Sequence, residues 1–418
     1  MVYRLSAWIR RGLVQQRRTF QIIQTLGKGG FGTVYRAAMT DAGGFTKEVA
    51  LKIMSYEGEE AEGIARRMRD EARMLGLIRH RAIVGVNSLI PLQDGWGVVM
   101  EYIDGADLSS CIKAGTVPIG AALEVIEEVA GALDAAYTAQ MPGRDQGLKL
   151  VHRDIKPSNI RVTRQGEVKL LDFGVARAEF DAKESKDSSE FVMGSTRYMA
   201  PERRRGWETH QGDVYALGLV LANALTRKRF PEPPEAERDH ARFLGTVLET
   251  VNRSLSSDSE EAVRAAAGQV KFLLLEMLAF EPMDRPDAHT VERRIRKIRK
   301  ALPAPWLREW SDRAVRRVQA GAGVPDDIRG DTGKVLVERA GAFDTDEVTA
   351  PLPSYATDGD DDSSSIRRPL APAHAEADPT SGHRTTPGVP RLTVVVLMAG
   401  SFLLGAIVGV VSLILLGG

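Results

Sequence analysis

The sequence has almost no cysteine and no net charge. Cys111 is the single cysteine among 418 residues, so an internal disulfide framework is excluded and the chain suits a reducing compartment. Lysine plus arginine and aspartate plus glutamate number 56 each, so the chain as a whole lacks the basic excess typical of nucleic-acid-binding proteins. We therefore expect no nucleic-acid partner.

An apolar run at the amino terminus is also lacking. Residues 2–8 are too short and too interrupted for the apolar core of a secretory signal peptide, and no small-residue cleavage site follows. Residues 1–19 instead carry five arginines and no acidic residue. This basic segment either rests on anionic lipid or is simply solvated. No internal repeat is present along the chain.

One long hydrophobic run is present near the carboxyl end. Residues 392–416 read LTVVVLMAGSFLLGAIVGVVSLILL, without a charged residue. A helix of this length, at about 1.5 Å per residue, crosses a hydrocarbon layer about 30 Å thick. We therefore expect a single transmembrane helix here. Ser401, Gly405 and Gly409 follow at four-residue spacing, which indicates either a homodimer contact or the ordinary small-residue content of such helices.

The rest of the chain divides into three parts. Residues 20–103 contain strand-like runs and one helical segment near 60–78, whereas residues 104–302 contain mainly long helices. A small β-rich lobe followed by a larger helical lobe is an α+β arrangement. In residues 303–391 proline, glycine, serine, threonine and aspartate accumulate, apart from a potential helix around 305–320. This composition predicts a flexible linker.

A glycine-rich stretch, LGKGGFGTVYRA, runs from Leu26 to Ala37. Its G-x-G-x-x-G spacing occurs in dinucleotide-binding folds, P-loop NTPases and protein kinases. The residues after Gly32 are β-branched and aromatic, so we expect a strand there and not the helix of a dinucleotide fold. The stretch also lacks the G-K-[ST] ending of a P-loop. We predict a loop between two antiparallel strands that covers a phosphate-bearing ligand.

A lysine lies in the apolar strand that follows, in Val49-Ala50-Leu51-Lys52. Such a lysine ordinarily marks an edge strand or extends its amine to solvent. Opposite a phosphate cradle it becomes a cation directed at phosphate oxygens. Glu71, in the next helical segment, is the best carboxylate to hold it, although Glu71 by itself would also suit a solvated surface position.

Two further motifs follow in order: VHRDIKPSN at 151–159 and LDFG at 171–174. Together with the glycine loop and the strand lysine they resemble the signature set of eukaryotic-like bacterial Ser/Thr protein kinases, over residues 20–302. The resemblance implies the two-lobed protein kinase fold, with a small antiparallel β-rich lobe at 20–103 and a helical lobe at 104–302. It also implies transfer of the ATP γ-phosphate to Ser and Thr hydroxyls of protein substrates.

The resemblance assigns chemical roles to five side chains. Asp154 accepts the hydrogen bond and finally the proton of the substrate hydroxyl, and Lys156 stabilises charge on the γ-phosphate. Lys52 binds the α- and β-phosphates. Asn159 and Asp172 supply oxygen ligands for Mg²⁺ or Mn²⁺.

The resemblance also implies an ATP site between the lobes. Met100 lies at the back of the pocket, and main-chain groups of Glu101 and Ile103 meet the adenine edge. The full set expected around the nucleotide is Leu26, Gly27, Lys28, Gly29, Gly30, Phe31, Gly32, Thr33, Val34, Ala50, Lys52, Glu71, Met100, Glu101 and Ile103.

Residues 194–202, GSTRYMAPE, resemble the segment that receives the peptide substrate. Ser195 takes the place of the usual threonine and retains the hydroxyl that bridges the catalytic aspartate and lysine. By resemblance, Glu202 pairs with Arg285, and Asp213 holds the catalytic loop. These two roles are structural.

Two residues of the HRD triplet have expected roles outside the chemistry. His152 is expected to pack beneath Phe173, and Arg153 is expected to bind a phosphate on the loop that follows Gly174. We predict autophosphorylation in that loop, where exposed serines could equally be solvated linker. The candidates are Ser185, Ser188 and Ser189.

The sequence thus predicts an ATP-dependent Ser/Thr kinase in membrane-associated signalling, with the kinase domain in the cytoplasm, where ATP is, and a homodimer as an option. Arg384 and Arg391 beside the span agree with that orientation. A pseudokinase scaffold is the first alternative, and the presence of Lys52, Asp154, Asn159 and Asp172 argues against it. A small-molecule phosphotransferase of related fold is the second, and the APE segment with Arg285 argues against that.

Overall fold

The computed structural model describes seven stretches of the chain, which are residues 18–29, 32–54, 74–92, 95–140, 147–173, 196–321 and 333–338. All of them belong to one compact unit, Met1–Ser354, and the second unit, Tyr355–Gly418, lies outside the described residues. The predicted transmembrane helix at 392–416 therefore lies outside them as well. Among the described helices, none is long and apolar enough to cross a membrane.

Nine strands form two antiparallel sheets in the described part of the chain. They are β1 (Thr19–Gly29), β2 (Gly32–Thr40), β3 (Thr46–Met54), β4 (Val86–Leu92), β5 (Gly95–Glu101), β6 (Gly105–Asp107), β7 (Ile160–Thr163), β8 (Val168–Leu170) and β9 (Val335–Val337). The first sheet has the order β4-β5-β3-β2-β1-β9 and builds the amino-terminal lobe, and the second has the order β6-β7-β8. The predicted β-rich lobe is thereby confirmed.

The two faces of the first sheet have different environments. Side chains alternate along a strand, so Val49 and Leu51 of β3 enter a buried core while Ala50 and Lys52 lie on the opposite face. The core also contains Phe20, Ile22, Ala37, Met39, Ile90, Leu92 and Val99. On the opposite face the register sets Lys52 against Val34 and Ala50 against Met100. Residues predicted to contact a nucleotide therefore share one face.

Eight α-helices in the described residues follow, and they build the second lobe. They are α1 (Leu108–Ala114), α2 (Ile119–Thr138), α3 (Pro201–Arg204), α4 (His210–Thr226), α5 (Glu237–Ser256), α6 (Glu261–Met277), α7 (Ala288–Arg299) and α8 (Leu307–Gly321). Helix α4 is buried along nearly its whole length, from Asp213 to Leu225, as expected for a helix that is apolar on all sides. Thr209 caps its start, because its Oγ1 accepts the Gly212 amide at 3.0 Å. The loop at residues 151–159 is held on this central helix by Asp213.

A buried ion pair joins the segment before α4 to the segment before α7. Arg285 donates to both carboxylate oxygens of Glu202, at 2.6 and 2.9 Å. It also donates to the carbonyls of Ala279 and Phe280, each at 2.7 Å. The charges are thus compensated by hydrogen bonds, which a buried pair requires. The predicted pairing of Glu202 with Arg285 is confirmed.

The prediction of a linker starting at residue 303 was wrong for the described residues beyond that point. The potential helix around 305–320 is present as α8, and it packs on the second lobe instead of standing free. Leu307, Trp310 and Val315 are buried, and the Trp310 Nε1 donates to the Thr116 carbonyl at 3.1 Å. An apolar stripe on one helix face supplied the burial that the average composition concealed.

Strand β9 also comes from the expected linker, and it lies against β1. The Ile22 amide donates to the Lys334 carbonyl, and the Gly333 amide donates to the Ile22 carbonyl, both at 2.9 Å. Arg18 and Glu338 form an ion pair at 3.1 Å, and Leu336 packs against the core of the first lobe. The folded unit therefore continues past residue 302 and contacts both lobes.

Replacing Trp310 by alanine should destabilise the protein by about 3–5 kcal/mol, because it removes a buried aromatic side chain and leaves a cavity. Trp207 is half-exposed, with 50% of its surface accessible, so Trp207→Ala is the matched control and should change stability by less than about 1 kcal/mol. Urea unfolding of both variants measures the difference. Equal stability of the two variants would contradict the packing role of α8.

Candidate active site

The catalytic loop, residues 151–159, brings three predicted side chains together. Lys156 Nζ lies 2.8 Å from Asp154 Oδ2. Asn159 Nδ2 donates to the Asp154 carbonyl at 2.8 Å and to its Oδ2 at 3.0 Å. The Asp154 carboxylate is therefore held at Oδ2 by both an amide and a cation.

Asp213, in the first turn of α4, holds this loop from below. Its Oδ2 accepts the His152 amide at 2.6 Å, and its Oδ1 accepts the Arg153 amide at 2.9 Å. Burial raises the pKa of Asp213 to about 6. Arg153 has a φ of 71°, a left-handed conformation that costs a residue other than glycine about 1–3 kcal/mol. The two hydrogen bonds to Asp213 stabilise that conformation, and they agree with the predicted role of Asp213 in holding the loop.

His152 has a packing role. Its ring is fully buried and lies 4.5 Å from the Phe173 ring, centroid to centroid. Nδ1 accepts the Asp154 amide at 3.2 Å, which leaves Nε2 to donate to the Leu171 carbonyl at 3.0 Å. Burial lowers the pKa of His152 to about 4, so the ring is neutral at physiological pH. A neutral imidazole with both nitrogens engaged agrees with the predicted position beneath Phe173.

An ion pair connects the strand lysine to the second lobe. Lys52 Nζ lies 2.7 Å from Asp172 Oδ1. Lys52 lowers the pKa of Asp172 against the opposing effect of burial, so Asp172 is ionised. The Leu171 amide donates to the Asn159 carbonyl at 2.8 Å, which sets the Asp172 segment beside the catalytic loop. The structure therefore brings Lys52, Asp154, Asn159 and Asp172 into one site.

The donor atoms suit a hard divalent cation. Asn159 uses its amide nitrogen on Asp154, so Oδ1 is the atom with which it would hold a cation. Asp172 is ionised, and 45% of its side chain is accessible. Carboxylate and amide oxygens are the ligands that Mg²⁺ prefers, and Mg²⁺ commonly takes only one or two from protein when substrate phosphates supply others. The residues present thus fit the expected metal.

The glycine stretch joins two antiparallel strands, as predicted. Gly27 lies opposite Val34, Lys28 opposite Thr33 and Gly29 opposite Gly32. Gly32 has a φ of 129°, which residues with a Cβ rarely adopt. Leu26 and Val34 are half-buried. Gly30 and Phe31 lie outside the described residues.

Side chains distant in sequence hold the segment between the lobes, residues 101–103. Lys169 Nζ and the Gly85 amide both donate to Glu101 Oε1 at 2.7 Å. Arg161 Nε donates to the Ile103 carbonyl at 2.9 Å. The same carbonyl is expected to meet adenine, and that contact stays a prediction, because a carbonyl oxygen can accept a second hydrogen bond. Arg161 follows Asn159 by two residues, and that proximity to the motif was the only sequence signal.

Several predicted site residues lie outside the described residues. They are Gly30, Phe31, Glu71 and Ser195, together with the loop serines Ser185, Ser188 and Ser189. Their roles stay predictions. Among the residues that sequence reasoning missed, Arg161, Lys169 and Glu208 make contacts at the site or beside it.

Comparison with known proteins decides the family. The sequence profile of the family described as "Protein kinase domain" matches residues 20–295, about two-thirds of the chain. The chain belongs to the protein kinase family.

Individual members of the family are similar over the kinase domain. Tyrosine-protein kinase MasK of Myxococcus xanthus is 34% identical over 282 residues, which cover 65% of this chain and 42% of MasK. Serine/threonine-protein kinase PrkC of Bacillus subtilis is 35% identical over 209 residues, which cover 50% of this chain and 30% of PrkC. PknD of Mycobacterium tuberculosis, also a serine/threonine-protein kinase, is 34% identical over 209 residues, covering 50% of this chain and 29% of PknD. The chain therefore spans less than half the length of these relatives.

The raised pKa of Asp213 predicts a pH dependence of catalysis. As the pH falls through about 6, Asp213 gains a proton and becomes a poorer acceptor for the His152 and Arg153 amides, so kcat should fall. A carboxyl group whose pKa is raised in the folded protein binds its proton more tightly there than in the unfolded chain. Its contribution to the free energy of unfolding therefore falls as the pH rises from about 4, the pKa in the unfolded chain, to the pKa in the folded protein. Buried His152 has the opposite effect on stability, so kcat and not the free energy of unfolding is the diagnostic quantity.

The control for this pH dependence is Asp213→Asn, measured as kcat between pH 5 and 8.5. Asparagine has no proton to gain, so the variant should have a lower kcat at every pH and no inflection near pH 6. An unchanged inflection in Asp213→Asn would assign the titration to another group.

Proposed function

We propose that this kinase-family chain is an active protein serine/threonine kinase that uses ATP. The observation that carries the proposal is the joined cluster of Lys52 with Asp172 and Asp154 with Lys156, at 2.7 and 2.8 Å. A scaffold that only holds nucleotide needs no oriented carboxylate beside a cation. The cluster therefore supports turnover over the pseudokinase alternative.

In the proposed reaction each of these side chains has a role in phosphoryl transfer. The acceptor hydroxyl donates a hydrogen bond to Asp154, whose carboxylate Asn159 keeps in position, and Asp154 takes the proton as the oxygen attacks the γ-phosphorus. Lys156, beside Asp154, stabilises negative charge on the transferred phosphoryl group, and Lys52 does so on the phosphates that leave with ADP. Positioning and charge stabilisation are the main requirements of this reaction.

Mg²⁺, or Mn²⁺ in its place, is the proposed metal. Asn159 and Asp172 would hold it, and it would neutralise phosphate charge. The support is the pair of oxygen donors described above, which suits hard cations without selecting between these two.

Serine and threonine are the proposed acceptors, and tyrosine is the competing one. Lys156, two residues after Asp154, resembles the arrangement of Ser/Thr kinases, and PrkC is named a serine/threonine-protein kinase. MasK, by contrast, is named a tyrosine-protein kinase. The test must therefore distinguish serine and threonine from tyrosine as the acceptor.

The test compares wild type with Asp154→Asn on a protein substrate with labelled ATP, followed by phosphoamino-acid analysis. The variant should lose about 100- to 10,000-fold in kcat, because a general base is removed, while its affinity for ATP stays within a few-fold. Asp239→Asn, on the exposed face of α5, is the control and should keep full activity. Phosphotyrosine alone would overturn the acceptor assignment, and a wild type that binds ATP without phosphorylating protein would support the scaffold.

We further propose that the chain is a single-pass membrane protein with its kinase domain in the cytoplasm, acting on protein substrates in signalling. Support comes from the uncharged run at 392–416 and from Arg384 and Arg391 before it. The small-residue spacing within the run supports a homodimer as an accompanying proposal.

Membrane association is tested with the full chain and a matched variant. Wild type should remain in the membrane fraction after alkaline carbonate extraction. Changing both Leu403 and Leu404 to arginine costs roughly 2.5–3.5 kcal/mol per charge near the middle of a span, so this variant should move to the supernatant. Wild type in the supernatant would contradict the proposal whatever the variant does.

A further inference from the structure

A carboxylate that the kinase motifs do not include lies beside the catalytic loop. Glu208 Oε2 is 3.3 Å from Arg153 Nε, and Glu208 Oε1 is 3.2 Å from Arg203 Nε. Glu208 lies between α3 and α4, and Arg203 lies in α3. One carboxylate therefore bridges two arginines that come from different segments.

The three side chains are largely shielded from water. The accessible fractions are 24% for Arg153, 13% for Arg203 and 30% for Glu208. Exposed ion pairs contribute little to stability, whereas shielded charges depend on their partners much more. The buried Nε of Arg153 has no hydrogen-bond acceptor in the described part of the chain, because the contact with Glu208 is close but poorly aligned. Loss of Glu208 would remove a carboxylate that forms ion pairs with both guanidinium groups.

The position of Arg153 connects this cluster to catalysis. Arg153 directly precedes Asp154 and has a strained φ of 71°. Asp213 holds its amide by a hydrogen bond, and Glu208 forms an ion pair with its guanidinium. Arg153, Asp154, Arg203 and Asp213 also line one small cavity. A displacement of the Arg153 side chain would therefore shift the backbone that carries the catalytic carboxylate.

We propose that Glu208 is a positioning residue for Asp154 and supplies internally the negative charge that Arg153 requires. Sequence analysis assigned that charge to a phosphate on the loop after Gly174. A phosphate would carry about −1.5 to −2 charge units, and the carboxylate supplies one, directed at both arginines. The consequence is a kinase that is active before any phosphate is added to it. This inference rests on the proposed function.

Two competing roles for Glu208 predict different outcomes. If Glu208 forms an ordinary surface ion pair, its loss changes neither kcat nor the catalytic loop. If Glu208 pairs with Arg153 only until an activating phosphate replaces it, the unphosphorylated enzyme is inactive. The proposed role requires both an active unphosphorylated enzyme and a catalytic loop that depends on Glu208.

The test uses full-length protein treated with a phosphatase, which is then removed, and confirmed phosphate-free by intact mass. Initial rates give kcat and the KM for ATP on a protein substrate. Wild type should be active in this state. Glu208→Gln, which keeps the shape and removes the charge, should lower kcat by about 10- to 100-fold, the range for losing charge-assisted contacts, with KM for ATP within twofold. Glu208→Asp should restore most of kcat.

Glu249→Gln is the matched control. Glu249 pairs with Arg253 on α5, and both side chains are about 70% exposed, so its loss should leave kcat unchanged. A second variant covers a folding defect in Glu208→Gln. Because Glu208 acts through the arginines, adding Arg203→Met to Glu208→Gln should lower kcat less than the product of the separate effects. Independent, multiplicative effects would overturn the proposal.

Amide hydrogen exchange gives a readout that does not need activity. Exchange at residues 151–156 should be faster in Glu208→Gln than in wild type and unchanged in Glu249→Gln. Equal exchange in Glu208→Gln and wild type overturns the positioning role. If the wild type is active only when phosphorylated, the internal-charge role alone is overturned. If the wild type is inactive in both states while exchange is faster in Glu208→Gln, the proposed function is contradicted and the positioning role is still supported.

Discussion

The site depends on one buried carboxylate, that of Asp213. The catalytic loop has no regular backbone pairing to fix it, and Arg153 within it has a left-handed conformation that is unfavourable by itself. Asp213 satisfies two loop amides at 2.6 and 2.9 Å from a helix that is buried along nearly its whole length. Because α4 cannot move without disrupting the core, the loop inherits its rigidity. The same burial raises the pKa of Asp213, because it disfavours the ionised carboxylate.

The start of α4 is held in turn by the pair of Glu202 and Arg285. Removing one partner of such a pair typically destabilises a protein by about 3–5 kcal/mol, because the other charge is left buried. Arg285 also binds carbonyls on the segment before α7, and Thr209 both caps α4 and donates to Glu202. Stability and catalysis are therefore coupled, since the contacts that fix α4 in the core also fix the support of Asp154.

The features that could be predicted from the sequence are those that short motifs specify. The glycine hairpin, the lysine of β3 and the 151–159 loop follow from motifs whose residue types serve one purpose. The pairing of Glu202 with Arg285, 83 residues apart, was expected only from the family resemblance. The contacts of Arg161 and Glu208 could not be predicted, because an arginine or a glutamate in a polar stretch is ordinarily solvated, and only the fold brings partners 58 or 55 residues away. The docking of α8 and β9 was missed for a different reason. Average composition over 303–391 hid a short apolar stripe and a three-residue strand.

The position of β9 has a physical consequence for the nucleotide site. Strand β1 carries the first glycines of the loop, and a β1 at the edge of the sheet would be paired on one side only. Pairing with β9 on its second side adds backbone hydrogen bonds around Ile22 and the ion pair of Arg18 with Glu338. Helix α8, from the same segment, is fixed on the second lobe through Trp310. Since β2 continues from β1 through the glycine loop, the strand that presents the loop is anchored from both sides.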